Sequence, residues 1–310
     1  MKLRYATVDV FTEKRFSGNP LAVVLDAEAL STTDMQAIAA EFGYGETTFV
    51  SAATDGKHTA QLRIFSPKRE MLFAGHPIIG TAFVLGQEAV LWERLAGANI
   101  VFATGAGQVT VNLLMEEGKV VGADLVAPKK LTLGSKISSS DLATCLSLAP
   151  EMIRDVVHAP QVASVGLPFV IVELASRVAL TRCVVDSTML SKILPVDGAG
   201  AIYAYTRDSD ERDTLVGGCD LNARMFTLRM TEDPATGSAA AATAALILSV
   251  SVKPSLALRI RQGVDMGRPS VLLASAARAV EGIFSRIGGR CVPVMDGSFV
   301  SSATFGLTDQ

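Results

Sequence analysis

The sequence is poor in the residues that mark several large classes of protein. It has 310 residues, with four cysteines, one tryptophan and three histidines. Spacings of 38, 36 and 72 positions between successive cysteines exclude CxxC pairs and give no disulfide framework. We therefore expect free thiols and a reducing, cytoplasmic environment. The cysteines are Cys145, Cys183, Cys219 and Cys291.

An excess of charge and a long apolar run are also missing. Twenty-eight Lys and Arg residues against 31 Asp and Glu residues give a net charge of −3, so we expect no nucleic-acid partner. The most apolar stretch, residues 239–252, is 14 residues long, whereas a helix needs about 20 apolar residues to span a bilayer. The alternating amino terminus, MKLRYATVDVF, predicts a strand and not a signal peptide. We therefore expect no membrane partner.

Cofactor motifs are absent as well. The segment TGAGQVTVNL at 104–113 has only two glycines of a dinucleotide fingerprint and leads into a predicted strand, whereas the fingerprint must open a helix. No P-loop, HExxH, GxSxG or EF-hand sequence occurs, and His58, His76 and His158 have no metal-ligand spacing. We expect neither a metal nor an organic cofactor.

Short strand patterns bounded by turn residues make up much of the chain. Fewer segments have helical patterns, and they do not alternate regularly with the strands. This arrangement predicts an α+β fold and disfavours a doubly wound parallel sheet. The predicted strands are 5–11, 21–25, 48–51, 60–65, 108–115, 169–174, 200–206 and 223–228, and the predicted helices are 33–42, 77–85, 140–146, 187–193 and 238–248.

Two segments of the chain share one plan. LRIFSPKREMLFAGHPIIGTAF at 62–83 and ARMFTLRMTEDPATGSAAAATAAL at 223–246 each contain a strand with Arg and Phe, then a turn-rich link and Gly entering an apolar helix. This predicts two similar strand-rich, barrel-like domains, each around a central helix, with the two helix starts facing one cleft. A chance match of apolar helices is the alternative. We place the domains at 1–120 and 121–299, with residues 300–310 a candidate completion of the first.

The start of the second apolar helix is a candidate anion site. In EDPATGSAAAA, Thr236, Gly237 and Ser238 bring N–H groups and hydroxyls to a helix start, which favours a substrate carboxylate. Asp233 precedes them. The structural alternative is that Asp233 is only an N-cap, with Pro234 at the first helical position.

Two residues of the first half are candidates for proton transfer. His76 stands at the start of the other helix, between Gly75 and Pro77, where the helix dipole favours a neutral ring. Glu46 precedes an apolar strand, and partial burial there would raise the pKa of a general base. The alternatives are a structural histidine and an exposed turn glutamate.

Six segments in order along the chain closely resemble the PhzF-like phenazine biosynthesis family, which has the diaminopimelate epimerase-like fold. They span nearly the whole chain. They are FSGNPLAVV at 16–24, GETTFV at 45–50, LRIFSP at 62–67, FAGHPIIGTA at 73–82, EDPATGSAAAA at 232–242 and QGVDMGRPS at 262–270.

The resemblance implies a two-domain isomerase with its active site between the domains. It makes Glu46 the catalytic acid/base and adds His76, Asp233 and Ser238 as catalytic partners. We expect Gly75, Thr236 and Gly237 to bind a small anionic substrate. In the phenazine enzyme such residues serve a cofactor-free isomerisation of trans-2,3-dihydro-3-hydroxyanthranilate. The resemblance also implies a homodimer.

Two other functions stay open. Racemases and epimerases of the same fold use one thiol from each half, but Gly75 stands at the first helix start and no cysteine lies in 233–238. A non-catalytic ligand-binding protein is the alternative from another class, and it would have no evident need of a buried base.

Overall fold

The computed structural model describes residues 3–88, 90–92, 94–95, 97–208, 218–228 and 230–299. The chain forms two compact units. The first unit comprises Met1–Leu125 and Gly289–Gln310, and the second unit comprises Val126–Gly288. No helix within the described residues has both the length and the apolar character needed to cross a membrane.

The described residues of the first unit form mainly strands, with one amphipathic and one buried helix. The helices are α1 (Thr32–Phe42) and α2 (Gly75–Gly86). The strands are β1 (Arg4–Val10), β2 (Asn19–Val24), β3 (Glu46–Ala52), β4 (Ala60–Ser66), β5 (Arg69–Met71), β6 (Val90–Leu91), β7 (Arg94–Leu95), β8 (Asn99–Thr104), β9 (Gly107–Glu116) and β10 (Lys119–Val126).

Helix α2 is the centre of the first unit. Its residues from His76 to Leu85 are all buried, as expected for a helix that is apolar on every side. Gly80 permits this burial, because a Cβ atom there would lie 2.6 Å from Leu21 and 2.7 Å from Val10. Around the helix, β2 and β3 pair in parallel, β3 and β4 antiparallel, and β4 and β8 in parallel.

Within its described residues, the second unit has four α-helices and the remaining strands. The helices are α3 (Ser139–Cys145), α4 (Arg177–Arg182), α5 (Ser187–Ile193) and α6 (Gly237–Ser249). The strands are β11 (Thr132–Lys136), β12 (Ile153–Arg154), β13 (Gln161–Ser164), β14 (Pro168–Leu174), β15 (Ala201–Thr206), β16 (Leu221–Thr227), β17 (Ser255–Gln262) and β18 (Ser270–Ala279). Strand β19 (Gly282–Ser298) begins in this unit and continues into the first.

The second unit repeats the strand pairing of the first. β14 and β15 pair in parallel, β15 and β16 antiparallel, and β16 and β17 in parallel. Its buried helix, α6, follows β16 as α2 follows β4 and β5, and residues 239–248 of it are all buried. The prediction of an α+β fold with two similar strand-rich units, each around a central helix, is confirmed.

The units end at positions other than those expected from composition. Strand β10 pairs with β9 as far as Leu125, so the chain leaves the first unit after this strand and not at 120. Strand β19 pairs first with β18 and then, from Cys291 to Ser298, with β1. Residues 289–299 therefore complete the first unit. The expected contribution of 300–310 lies outside the described residues.

Candidate active site

Glu46 is the first residue of β3. Thr47, Thr48 and Phe49, which follow it, are fully buried, and the side chain of Glu46 is 20% exposed. The strand core thus fixes the backbone while the carboxylate lies at the end of the strand. The interpretation of Glu46 as an exposed turn residue is not supported, because most of its side chain is covered.

His76 is the second residue of α2 and lies against Glu46. Its Nε2 atom is 3.4 Å from Oε2 of Glu46, and only 8% of the His76 side chain is exposed. This contact does not have the geometry of a hydrogen bond, and Nε2 makes no hydrogen bond to a described residue. Burial lowers the pKa of His76 from 6.5 to about 3. The contact therefore joins a carboxyl group to a neutral ring and is no ion pair.

The start of α2 is held in place by threonines. Thr81 Oγ1 donates a hydrogen bond to the Pro77 carbonyl oxygen at 2.7 Å, and it lies 2.8 Å from Thr48 Oγ1. Because the Thr81 hydrogen goes to Pro77, Thr48 donates to Thr81. This link fixes the helix to β3, the strand that carries Glu46. Ala74, at the N-cap of α2, supplies no side-chain cap.

Asp233 belongs to a hydrogen-bonded loop and is no helix cap. Helix α6 begins at Gly237 with Thr236 as its N-cap, so the N-cap alternative for Asp233 is wrong. Thr236 Oγ1 donates to Asp233 Oδ2 at 2.6 Å. The Asp-Pro pair resembles a cap locally, but the chain needs three more residues before the helix starts.

Gln262 organises this loop, and sequence reasoning missed it. Its Oε1 accepts from the backbone N–H of Thr236 at 3.0 Å, and its Nε2 donates to the Asp233 carbonyl oxygen at 2.7 Å. A Cβ atom on the next residue, Gly263, would lie 2.5 Å from the Pro234 carbonyl oxygen. Ser270 Oγ donates to that same oxygen at 3.0 Å. These residues belong to the QGVDMGRPS segment, one of the six that resemble the family, so the sequence contained a signal for them.

Ser238 is the second residue of α6, the position that His76 occupies in α2. It is half-buried, whereas Gly237 and Thr236 are buried. Nearby, burial and the charge of Asp233 raise the pKa of the Tyr203 hydroxyl. That hydroxyl is buried and has no hydrogen-bond partner in the described part of the chain.

The structure thus places the predicted residues in two clusters. In the first unit, Glu46 and His76 are in contact at the start of α2, directly after Gly75. In the second unit, Asp233 and Thr236 are bonded to each other, ahead of Gly237 and Ser238. The convergence of the two helix starts on one cleft stays a prediction.

Three of the four cysteines are unsuited to act as thiolates. Burial raises the pKa of Cys183 and of Cys291 to about 12, and burial with the charge of Asp186 raises that of Cys145 to about 11. None of the three is at the start of α2 or α6. Among the described residues, no group of three or more metal-ligating side chains comes together.

The model of the phenazine biosynthesis-like protein family matches residues 8–297 of this sequence. The chain belongs to this family. An uncharacterized isomerase of Mesorhizobium japonicum is 35% identical, covering 94% of this chain and 97% of the relative. A trans-2,3-dihydro-3-hydroxyanthranilate isomerase of Pseudomonas chlororaphis is 32% identical, covering 88% of this chain and 90% of the relative.

A solved structure supports the same fold. The phenazine biosynthesis protein of the PhzF family from Bacillus anthracis superposes with a TM-score of 0.84 and covers 97% of this chain and 100% of its own, at 22% identity. The predictions of the family, of its fold and of an isomerase are confirmed.

Proposed function

We propose that this chain is a cofactor-independent isomerase that moves a proton between carbons of a small carboxylate-bearing substrate. The substrate has an acidic C–H bond next to an unsaturated or carbonyl system, as in trans-2,3-dihydro-3-hydroxyanthranilate. The contact between Glu46 Oε2 and His76 Nε2 at 3.4 Å is the observation that carries the proposal. It places a carboxyl group against a neutral, buried ring at the start of a helix.

Glu46 acts as the general base and then as the general acid. Its carboxylate takes the proton as the C–H bond breaks, and the electron pair moves into the conjugated system. The same carboxyl group then returns the proton to a different carbon, so no atom or electron is gained or lost. The strand core behind Glu46, from Thr47 to Phe49, keeps the carboxylate in one position between these steps.

The remaining residues bind and orient the substrate. His76 and Ser238, each at the second position of its helix, relay or stabilise charge as it develops. Asp233 orients the substrate from its bonded loop. The N–H groups of Gly75 and of 236–238 receive the anionic groups, because the first amides of a helix lack partners within the helix.

A racemase or epimerase is the alternative within enzymes, and a ligand-binding protein is the alternative outside them. A two-thiol mechanism is disfavoured, since three of the cysteines are buried with raised pKa values. The fourth, Cys219, stands before β16 in the sequence and belongs to neither α2 nor α6. The covered carboxylate of Glu46 against a buried ring argues against a mere binder, which needs no such pair.

The test is Glu46→Gln, which keeps the size of the side chain and removes the titratable group. Glu41→Gln is the matched control, because Glu41 is exposed near the end of α1. With trans-2,3-dihydro-3-hydroxyanthranilate in heavy water, turnover and deuterium uptake are followed together. We expect Glu46→Gln to lose about 10² to 10⁴ in kcat, while substrate binding and the control stay near wild type. Turnover by Glu46→Gln at the wild-type rate would exclude Glu46 as the base.

We also propose that the protein is a cytoplasmic homodimer. An apolar fraction of 49% with 19% charged residues is compatible with a covered face. Light scattering measures this directly: the proposal requires about twice the chain mass of 32.5 kDa, and a single chain mass at micromolar concentration contradicts it.

A further inference from the structure

Asn19 is a buried polar residue that the mechanism above does not use. It is the first residue of β2 and only 3% exposed. Its side-chain Nδ2 lies 3.4 Å from Nδ1 of His76. The ring is therefore held between two polar groups, with Asn19 at one nitrogen and Glu46 at the other.

The backbone before Asn19 fixes its position next to His76. Gly18 has φ +67°, and a Cβ atom at this position would lie 2.4 Å from the Val10 carbonyl oxygen. Only glycine fits this approach without displacing the backbone. From there β2 pairs with β1, with Asn19 opposite Val10. Asn19 is thus fixed by its backbone and not by a mobile loop.

The number of hydrogens on the ring limits the possible arrangements. A neutral imidazole has one N–H group, so one ring nitrogen donates and the other accepts. The Nδ2 group of an amide only donates, which makes Nδ1 of His76 the acceptor. The ring hydrogen is then on Nε2, which faces Glu46, and an ionised carboxylate only accepts. The opposite tautomer would set a bare Nε2 against the carboxylate.

We propose that Asn19 is a positioning residue that selects the Nε2–H tautomer of His76 and so presents a donor to the Glu46 carboxylate. The consequence for catalysis rests on the proposed function of Glu46. The contact of 3.4 Å has no hydrogen-bond geometry, but an N–H dipole that faces the carboxylate stabilises the ionised form of Glu46, the form that accepts a proton from the substrate. The tautomer itself does not depend on that function.

Nitrogen NMR of the full chain labelled at histidine tests the tautomer, because protonated and bare ring nitrogens have distinct shifts. The chain has only three histidines, and His76→Gln identifies the signals of His76. We expect a protonated Nε2 and a bare Nδ1 in the wild type. In Asn19→Asp the new carboxylate only accepts, so we expect a hydrogen on Nδ1. The signals of His58 and His158 serve as internal controls and stay unchanged.

A wild-type His76 that carries its hydrogen on Nδ1 overturns the proposal, and this measurement needs no variant at residue 19 to fold. A bare Nδ1 in folded Asn19→Asp overturns it as well. For catalysis, we expect Asn19→Asp to lower kcat roughly 10²-fold with little change in KM, since a wrong tautomer removes the matched donor.

A failure of the proposal for Asn19 and a failure of the proposed function give different experimental results. If the wild type has the expected tautomer but Glu46→Gln turns over normally, the proposed function fails and the assignment of Asn19 to the tautomer stands. If Glu46→Gln is inactive and Asn19→Asp switches the tautomer with unchanged kcat, the role of Asn19 in catalysis is wrong while Glu46 remains the base.

Discussion

The two units share a scaffold but not their chemistry. In the first, Arg63 lies 5.1 Å above the ring of Phe65 and binds Glu70 through two hydrogen bonds of 2.7 Å. In the second, the corresponding arginine lies 4.8 Å above a phenylalanine ring and binds a glutamate through two hydrogen bonds of 2.8 Å. That second set is Arg224, Phe226 and Glu232. The same module thus fixes the strand before each central helix.

The strand register shows that the Glu46 carboxylate has no counterpart in the second unit. Thr47 pairs with Phe65 in the first unit, and Ile202 pairs with Phe226 in the second. Glu46, one residue before Thr47, therefore corresponds to Ala201. A central helix and its supporting strands occur twice, whereas the carboxylate occurs once. This asymmetry is compatible with the proposal that one group both removes and returns the proton.

At neutral pH, the largest difference in the free energy of unfolding is expected between the two arginines. The Arg224 side chain is 12% exposed and also donates to the carbonyl oxygens of Leu180, Thr181 and Cys183 at the end of α4. Arg63 is 29% exposed. We expect Arg224→Met to lower the free energy of unfolding by about 3 kcal/mol, because it removes the hydrogen bonds of Arg224 to a covered carboxylate and to three carbonyl oxygens. Arg63→Met, the matched change, costs about 1 kcal/mol or less.

Chemical denaturation of both variants measures this. Equal losses would mean that the module contributes in the same way in both units, and the additional contacts of Arg224 would then be without effect.

The units are also expected to differ in how their residues make stability depend on pH. The pKa of His76 is about 3 in the folded chain against 6.5 for an ordinary histidine, so the unfolded chain binds the proton more tightly. Stability is therefore full above about pH 6.5 and is lost as the pH falls towards 3, by about 1.4 kcal/mol per pH unit. His76→Gln removes this slope. Ser238→Ala, at the corresponding position of the second unit, keeps it.

The free energy of unfolding of each variant and of the wild type, measured at several pH values between 7 and 4, tests this prediction. Parallel curves for His76→Gln and the wild type would show that His76 does not titrate on unfolding.

The smallest effect concerns the buried tyrosines of β15. Tyr205 donates to Glu173 at 2.8 Å and lies 2.8 Å from Nε2 of His158, whereas the Tyr203 hydroxyl has no hydrogen-bond partner within the described ranges. We expect Tyr205→Phe to lower the free energy of unfolding by about 1 to 2 kcal/mol, and Tyr203→Phe to leave it unchanged or raise it. Thermal unfolding of the two variants compares them, and a larger loss for Tyr203→Phe would contradict this account.

The register also shows that this polar group is specific to the second unit. Tyr205 and Glu173 pair across β15 and β14. Counting along the paired strands, their positions in the first unit are held by Val50 and Leu25, both buried. Substitutions there should therefore act on packing alone.

Much of the fold could be predicted because local pattern and tertiary environment agree. The helices at 77–85 and 238–248 are apolar on every side and are central in the structure. Strands β17 to β19 were missed. The segment SVLLASAARA of β18 is rich in alanine and arginine, and it becomes a strand because β17 and β19 pair with it on both sides.

The candidate site was predicted unevenly for a similar reason. Glu46 and His76 stand in motifs that the family resemblance assigns. Asn19 and Gln262 stand in quoted segments too, but their contacts with His76 and Thr236 join residues 57 and 26 positions apart. No local pattern indicates such contacts, because they follow from how the strands pair around each helix.

Strand β19 has a consequence for the order of events during synthesis. Strand β1 pairs with β19 from Arg4 opposite Ser298 to Val10 opposite Cys291. Strand β1 therefore leaves the ribosome long before its partner at residues 291–298 has been synthesised. At 5 to 20 residues per second this interval is roughly 15 to 60 s. The second unit, which ends at Gly288, is entirely synthesised before the first can close its sheet. A nascent chain halted before residue 289 should therefore leave that edge of β1 accessible to chaperones.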